Sequence, residues 1–189
     1  MNRIIKRTLI IVGGLLGTAA VSASAYALVL ARAFDASMEK QYAIAAPTVA
    51  LSTAPEVLAR GKHLTESLGG CTSKDCHGSD LSGGNTIAMG PVGSFTGPNI
   101  TPGGVLSVYT DGELVRLLKR GVKKDGQSVR MMPVQDFYWL PESDVTAIVA
   151  YLRSVPKSNK PSVATKVGLL GKVLDRQGKF HLDVAREVE

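Results

Sequence analysis

The sequence predicts an all-α domain of three main helices and long glycine-rich loops, placed behind an N-terminal transmembrane helix. Three observations lead to this prediction. The chain begins with a long uncharged segment, and three later segments show apolar residues at helical spacing with start or stop signals. The intervening segments are rich in Gly, Ser, Asn and Pro and contain no polar-apolar alternation that would indicate a sheet.

The N-terminal segment has the length of a membrane span. Residues 8–31 carry no charge and follow Arg3, Lys6 and Arg7. At about 1.5 Å per residue, a helix of this length crosses a hydrocarbon layer of about 30 Å. The basic flank predicts an inner (cytoplasmic) membrane protein with its N-terminus inside and the following domain in the periplasm. A cleavable signal, which would leave a soluble periplasmic domain, is the alternative for residues 1–34.

The first helix of the domain follows a segment without sustained helical period, residues 35–54, which we expect to be an extended spacer. Thr53 and Glu56 have the spacing of a capping box, and proline lies between them in the first turn. The apolar stripe of this helix comprises Val57, Gly61, Leu64 and Leu68. Gly69 and Gly70 are the expected stop.

Two further helices complete the predicted domain over residues 55–156. Thr110 and Glu113 form a second capping box, and Gly121 is the expected stop of that helix. Its predicted inner face comprises Leu114, Leu117 and Leu118. The last helix begins near Pro141 and ends before Pro156. Its apolar positions are Val145, Ile148, Val149 and Leu152.

One short stretch, CTSKDCH at residues 71–77, contains both cysteines of the chain and one of its three histidines. Two cysteines followed directly by histidine are typical of covalent haem attachment, in which the thiols bond the vinyl groups and the imidazole binds iron. The usual spacer between the cysteines has two residues, whereas this one has four. Two cysteines in an exported protein also fit a disulfide. A zinc site would need a fourth ligand, from His63 or His181.

Composition narrows the function classes. Residues 55–156 contain ten basic and ten acidic side chains, so the formal charge of +6 comes from the flanks. A balanced domain without a basic face argues against nucleic-acid binding. Aromatic residues make up only 5% of the chain, which leaves few large rings for a core. A buried macrocycle would supply that apolar bulk.

The order of motifs resembles the class I c-type cytochromes that carry a single haem. The segments are RGKHL, CHGSDLSGG, GPNITP, YTDGELVRLLKRGV, MPVQDF and AIVAYLRSVP. They are similar to segments of membrane-bound cytochrome c subunits of bacterial dehydrogenases. The resemblance covers roughly residues 55–156 and implies the cytochrome c fold around one covalent haem c.

The resemblance also implies a set of cofactor-binding residues. Cys71 and Cys76 would form the thioethers, and His77 would be the proximal iron ligand. The carbonyl of Pro98 would accept a hydrogen bond from the other ring nitrogen of that imidazole, which fixes its orientation. Met132 matches the distal ligand. The two extra residues between the cysteines are expected to loop outward.

Other positions carry secondary expectations from the same resemblance. Met131 is the fallback for the distal ligand, because it lies one residue from the family position. Tyr109 stands where relatives often have tryptophan, which implies a hydrogen bond to a haem propionate. Gly61 and Tyr151 match a crossing pair in which a missing side chain lets two helices approach closely.

The expected function is one-electron transfer by an electron carrier, not an enzyme with a small-molecule substrate. The expected partners are the membrane and redox proteins, namely a dehydrogenase, an oxidase or another cytochrome. One alternative is a haem enzyme or a gas or redox sensor with a displaceable methionine. The other is a disulfide-closed structural domain without haem. Residues 157–189 contain no haem motif and either lie over the domain or contact a partner subunit.

Overall fold

The computed structural model of the chain describes residues 2–67 and 70–187. These residues form helices and one small antiparallel sheet. The helices are α1 (Arg3–Glu39), α2 (Pro55–Glu66), α3 (Asp111–Arg120), α4 (Val134–Tyr138), α5 (Glu142–Ser154) and α6 (Leu169–Arg176). The strands are β1 (Thr86–Ala88), β2 (Gly93–Thr96) and β3 (Lys166–Val167). Single turns of 3-10 helix occur at Gly90–Val92, Val105–Val108 and Ala185–Glu187.

Helix α1 is long and apolar enough to cross a membrane. It has 37 residues, and its large apolar side chains from Ile4 to Val29 are exposed. The helix continues to Glu39, so the prediction of an extended spacer from residue 35 is wrong for its first five residues. Phe34 and Met38 are buried, and this packing extends the helix beyond the apolar segment. Residues 40–54 contain no helix or strand, as expected, but they are not a free spacer. Tyr42 is buried, and Val49 and Leu51 pack against buried residues of the domain.

Helix α2 does not begin with the predicted capping box. Its N-cap is Ala54, which has no capping side chain, and Pro55 occupies the first helical turn. Proline is favoured there because its missing N–H would have no helical partner and its φ angle is already helical. The helix ends at Glu66, before the predicted glycine stop. Leu68 and Gly69, which the prediction used, lie outside the described residues.

Helices α2 and α5 cross in close contact at Gly61. A Cβ atom at this position would lie 2.0 Å from the carbonyl oxygen of Ala147 and 2.9 Å from Cβ of Tyr151. The predicted crossing of these two helices is therefore confirmed. All four predicted apolar positions of α5 are buried.

The predicted capping box of α3 is confirmed. The amide of Glu113 donates to the Thr110 hydroxyl at 3.2 Å, and the amide of Thr110 donates to the Glu113 carboxylate at 2.8 Å. Gly121 ends the helix in the left-handed conformation, with φ of 64°. Leu114 and Leu118 are buried as predicted, whereas the remaining leucine of the predicted face is half-buried.

The small sheet corrects the expectation that the domain contains none. Strands β1 and β2 form an antiparallel hairpin in which Thr86 faces Thr96. Strand β3 comes from the C-terminal segment and pairs with β2, placing Lys166 opposite Ser94. Strands of two to four residues are too short for their alternation to show in the sequence.

The described part of the C-terminal segment lies over the domain. The amide nitrogen of the Asn99 side chain donates to the carbonyls of Ser158 and Lys160, at 2.8 and 2.9 Å. Farther along, α6 packs against α1, and the ammonium of Lys172 lies 2.6 Å from the Asp35 carboxylate. The expectation that this segment lies over the domain is therefore confirmed for its described part.

The described residues form three apolar clusters, of which the two larger organise the interior. The main cluster lies among α2, α3, α4 and α5 and includes Cys71. The second joins α1 to β2 and the C-terminal segment through Phe34, Met38, Phe95 and Leu182. Helix α1 is therefore packed into the domain at its C-terminal end.

Candidate functional site

The cysteine-histidine stretch folds into a compact turn. The amide of His77 donates to the carbonyl of Cys71 at 3.0 Å, and the amide of Cys76 donates to the carbonyl of Ser73 at 3.0 Å. Cys71 is buried and Cys76 is half-buried. Residues 73–75 between them are exposed, so the extra residues loop outward as expected. The four-residue spacer is accommodated without displacing the buried thiol.

Glycines from two other segments hold this turn from behind. A Cβ atom on Gly84 would lie 2.2 Å from the carbonyl oxygen of Cys76, and one on Gly97 would lie 1.6 Å from it. The amide of Gly83 donates to the carbonyl of His77 at 2.8 Å. Only glycine permits this approach of backbone to backbone. Sequence reasoning had assigned no role to these glycines, although the SGG and TGPN segments are the signal.

The predicted contact between His77 and Pro98 is present in the structure. Nδ1 of the imidazole lies 2.8 Å from the Pro98 carbonyl oxygen, so this nitrogen carries the proton and donates. Burial lowers the pKa of His77, and the hydrogen bond to Pro98 opposes that shift. Since Nδ1 is engaged, Nε2 is the ring nitrogen that remains for a ligand. The neutral, oriented imidazole is the form that binds metals.

The two thiols are not joined to each other. Burial raises the pKa of Cys71 to about 11, and the neighbouring Cys76 adds to the shift. Cys71 thus remains a protonated thiol at neutral pH and packs as an apolar group in the main cluster.

The two methionines differ in their surroundings. Met132 is half-buried and packs against the same cluster that contains Cys71. Met131 is 39% exposed and has a φ angle of 58°, which is uncommon for a residue other than glycine. Both border a surface cleft of about 360 Å³. The full lining is Met131, Met132, Pro133, Gln135, His181 and Val184.

That cleft brings together only part of the predicted site. Among the described residues that line it, none belongs to the cysteine-histidine turn. His181, for which the sequence indicated only a solvated tail, is exposed and borders the cleft beside Met132. The remaining histidine considered as a zinc ligand, His63, lies on α2. In the described part of the chain, no cluster of three or more His, Cys, Asp or Glu side chains could hold a metal ion.

Tyr109 lies in a segment fixed by one arginine. The guanidinium of Arg153 donates to the carbonyls of Leu106 and Tyr109, at 2.7 and 2.5 Å, and to the Asp111 carboxylate at 2.9 Å. Tyr109 is half-buried, and burial raises the pKa of its phenol. Arg153 thereby joins α5 to the start of α3. Sequence reasoning had not singled out this arginine.

The donor set fits a c-type haem by its chemistry. One turn supplies two thiols and an adjacent imidazole whose Nδ1 is already engaged. A separate loop supplies a half-buried thioether. Thioether bonds and axial His and Met ligation require these groups. Gly84 and Gly97, where a Cβ would clash with the Cys76 carbonyl, form a close-fitting cradle behind the turn.

Comparison with known proteins points to the same class. The chain is similar to the cytochrome subunit of fructose dehydrogenase from Gluconobacter japonicus, with 33% identity over 107 residues. The match covers 51% of this chain and 22% of that subunit, so the chain spans about a fifth of the length of that relative. No family model matches the chain. The similarity indicates a cytochrome c-like protein and supports electron transfer in general.

Proposed function

We propose that this chain is a membrane-tethered one-electron carrier with one covalent haem c. In this proposal Cys71 and Cys76 form the thioethers, and His77 and Met132 are the axial ligands. The observation that carries the proposal is the 2.8 Å hydrogen bond from His77 to the Pro98 carbonyl. This hydrogen bond orients an imidazole directly after two cysteines. The similarity to a cytochrome subunit supports the interpretation of this arrangement as a haem site.

The residues of the chain would bind the cofactor and hold its ligands in place. Haem supplies a reversible one-electron couple at iron. The turn at residues 71–77 fixes the ring by covalent bonds, and Pro98 keeps the His77 imidazole in one tautomer. Met132 packs against the main apolar cluster on one side and borders the surface cleft on the other. The apolar side of this environment would limit the rearrangement needed when the charge changes.

The proposed ligands affect the reduction potential of the haem iron. A thioether is a soft ligand that favours ferrous iron, so a His/Met pair raises the reduction potential relative to two nitrogen ligands. With both axial positions occupied by protein, a substrate has no open coordination site. We therefore propose electron transfer between a dehydrogenase or quinol-oxidising complex and a terminal acceptor, without catalysis at the haem.

The proposed arrangement in the cell follows from α1. Its apolar part would span the inner membrane, with Arg3, Lys6 and Arg7 on the cytoplasmic side and the domain in the periplasm. The proposed units are an anchor at residues 1–34, the haem domain at 55–156 and the C-terminal segment at 157–189. Residues 40–54 connect α1 to the haem domain. Tethering would keep the carrier next to membrane-bound redox partners. We propose Tyr109 as a propionate partner.

The ligand assignment is tested by absorption spectroscopy of the full chain, expressed with haem-maturation machinery. Met132→Ala should abolish the charge-transfer band between methionine sulfur and ferric iron, because it removes the distal ligand. Met131→Ala is the matched control, one residue away, and should retain the band. Loss of the band in the control variant alone would assign the ligand to Met131 instead.

The proposal as a whole is tested by the same preparation. The parent should bind one haem that survives denaturation and should bind carbon monoxide weakly, since iron is six-coordinate. A protein without covalent haem would contradict the proposal. A five-coordinate haem that binds carbon monoxide avidly would instead favour an enzyme or sensor.

A further inference from the structure

Helix α6 exposes an apolar face that the domain does not cover. Leu169 is 50% exposed and Leu170 is 41% exposed, although the helix has only eight residues. The opposite side packs tightly, because a Cβ atom on Gly171 would lie 2.2 Å from the carbonyl oxygen of Val92. Asp175 on that side is fully buried. Because Gly171 and Asp175 occupy the buried face of the helix, the two leucines point away from the domain.

The contacts of α6 show which way it runs along α1. At its C-terminal end, the carboxylate of Asp175 accepts the amide of Asp183, and the Asp183 carboxylate accepts the Ser37 hydroxyl. One turn earlier, Lys172 pairs with Asp35 at 2.6 Å. Going towards the N-terminal end of α6 thus corresponds to going back along α1. This direction leads from the domain towards the uncharged segment.

Burial on α1 extends into the uncharged segment itself. Ala31 is buried, and Ala27 and Leu30 are half-buried, at spacings that place them on one face with Phe34. Leu28, on another face, remains 54% exposed. The C-terminal segment therefore packs beside residues that belong to the predicted span at 8–31. The direction of α6 therefore places its N-terminal leucines towards that predicted span.

We infer that Leu169 and Leu170 insert into the boundary between headgroups and acyl chains, in the bilayer leaflet on the side of the domain. This inference rests on α1 spanning the membrane, as proposed above. We choose the bilayer as the partner of this face because α6 packs against α1, the proposed span. The two leucines lie at the end of α6 that leads towards the lipid-facing segment of α1. Lys166, three residues before Leu169, is exposed and would match anionic headgroups.

A second membrane contact would change how the domain is held. Residues 40–54 already lie along the domain, where Tyr42 is buried and the Ile44 carbonyl accepts from the Arg116 guanidinium at 2.9 Å. The leucines of α6 would add a direct contact between the domain and the bilayer. The domain would then present a constant face to partners in the membrane. The ion pair between Lys172 and Asp35 joins α6 to α1.

The experiment uses the full chain in phospholipid nanodiscs with a nitroxide attached to Leu170→Cys. Power saturation gives the ratio of collisions with oxygen, which concentrates in lipid, to collisions with a water-soluble nickel chelate. Val21→Cys, on the exposed surface of the span, is the lipid control, and Ser143→Cys, exposed at the start of α5, is the water control. The parent chain is labelled in parallel and its signal subtracted.

The expected result is a ratio at Leu170→Cys that is shifted from the water control towards the lipid control, with the same shift at Leu169→Cys. A ratio equal to that at Ser143→Cys would overturn the inference while leaving the anchor intact. Low collision rates with both reagents would mean that protein, such as a second copy of the chain, covers the face, and would also overturn it. A water-like ratio at Val21→Cys would overturn the anchor and the inference together. Strong labelling of the parent would count separately against haem attachment.

Discussion

Replacing Gly61 by alanine should separate the two helices on which the haem domain is built. The new Cβ would start 2.0 Å from the carbonyl oxygen of Ala147, so α2 and α5 must move apart by about 1 Å before any acceptable contact distance is reached. Alanine alone would favour a helix by about 0.5–1 kcal/mol over glycine. Overpacking costs about 1–3 kcal/mol, and here the opposing group is backbone that cannot rotate away. With the overpacking cost near the upper end of that range, we expect the free energy of unfolding to fall by about 2 kcal/mol.

The measurement is urea unfolding of the full chain in detergent, followed by near-ultraviolet circular dichroism of the domain. Ala59→Gly, at an exposed position of the same helix, is the matched control and should lose about 0.5–1 kcal/mol through helix propensity alone. A Gly61→Ala variant as stable as the parent, or more stable, would refute the close-contact argument. It would mean that the helices can separate without cost.

Three further predictions concern other parts of the chain. Asp175→Ala should cost about 3 kcal/mol and expose the C-terminal segment to limited proteolysis, because the carboxylate accepts two buried amides; Asp175→Asn should lose less. Thr110→Ala should lower the free energy of unfolding by about 1 kcal/mol, and an unchanged value would contradict the observed cap. In the haem-free chain, iodoacetamide should modify Cys76 before Cys71. The rate of Cys71 modification should rise with pH up to about 11, because burial raises the pKa of that thiol. Equal rates for the two cysteines would contradict the burial of Cys71.

The sequence was sufficient where structure depends on neighbouring residues. The capping box at Thr110 and Glu113 and the stop at Gly121 were predicted because each feature is set within one or two turns. The start of α2 was predicted with the wrong cap. Ser52 accepts the amide of Ala54 at 3.2 Å, and the proline that follows starts the helix without a threonine cap.

Features that depend on distant residues were missed. Strand β3 consists of two residues and exists because β2 offers it an edge. The last turns of α1 follow from Phe34 and Met38, which carry a helical spacing, but their partner Leu182 lies near the end of the chain. The local sequence pattern was therefore not enough to predict that the helix continues to Glu39.

Within the proposed site, one predicted contact is present, and others were not anticipated. The hydrogen bond from His77 to Pro98 came from resemblance to a family, since nothing local links residues 21 positions apart. The closeness of Gly97 to Cys76 depends on two loops meeting and was not anticipated. The position of His181 beside Met132 was likewise invisible, because it depends on how the C-terminal segment returns to the domain.

The most direct test of haem attachment is the mass of the peptide spanning residues 71–77, from chain expressed with haem-maturation machinery. We predict that this peptide carries one haem, bound through both cysteines. In Cys71→Ser, the haem should remain attached through Cys76 alone. A wild-type peptide without haem that is lighter by two hydrogens would show a disulfide between Cys71 and Cys76, and would contradict the proposed function.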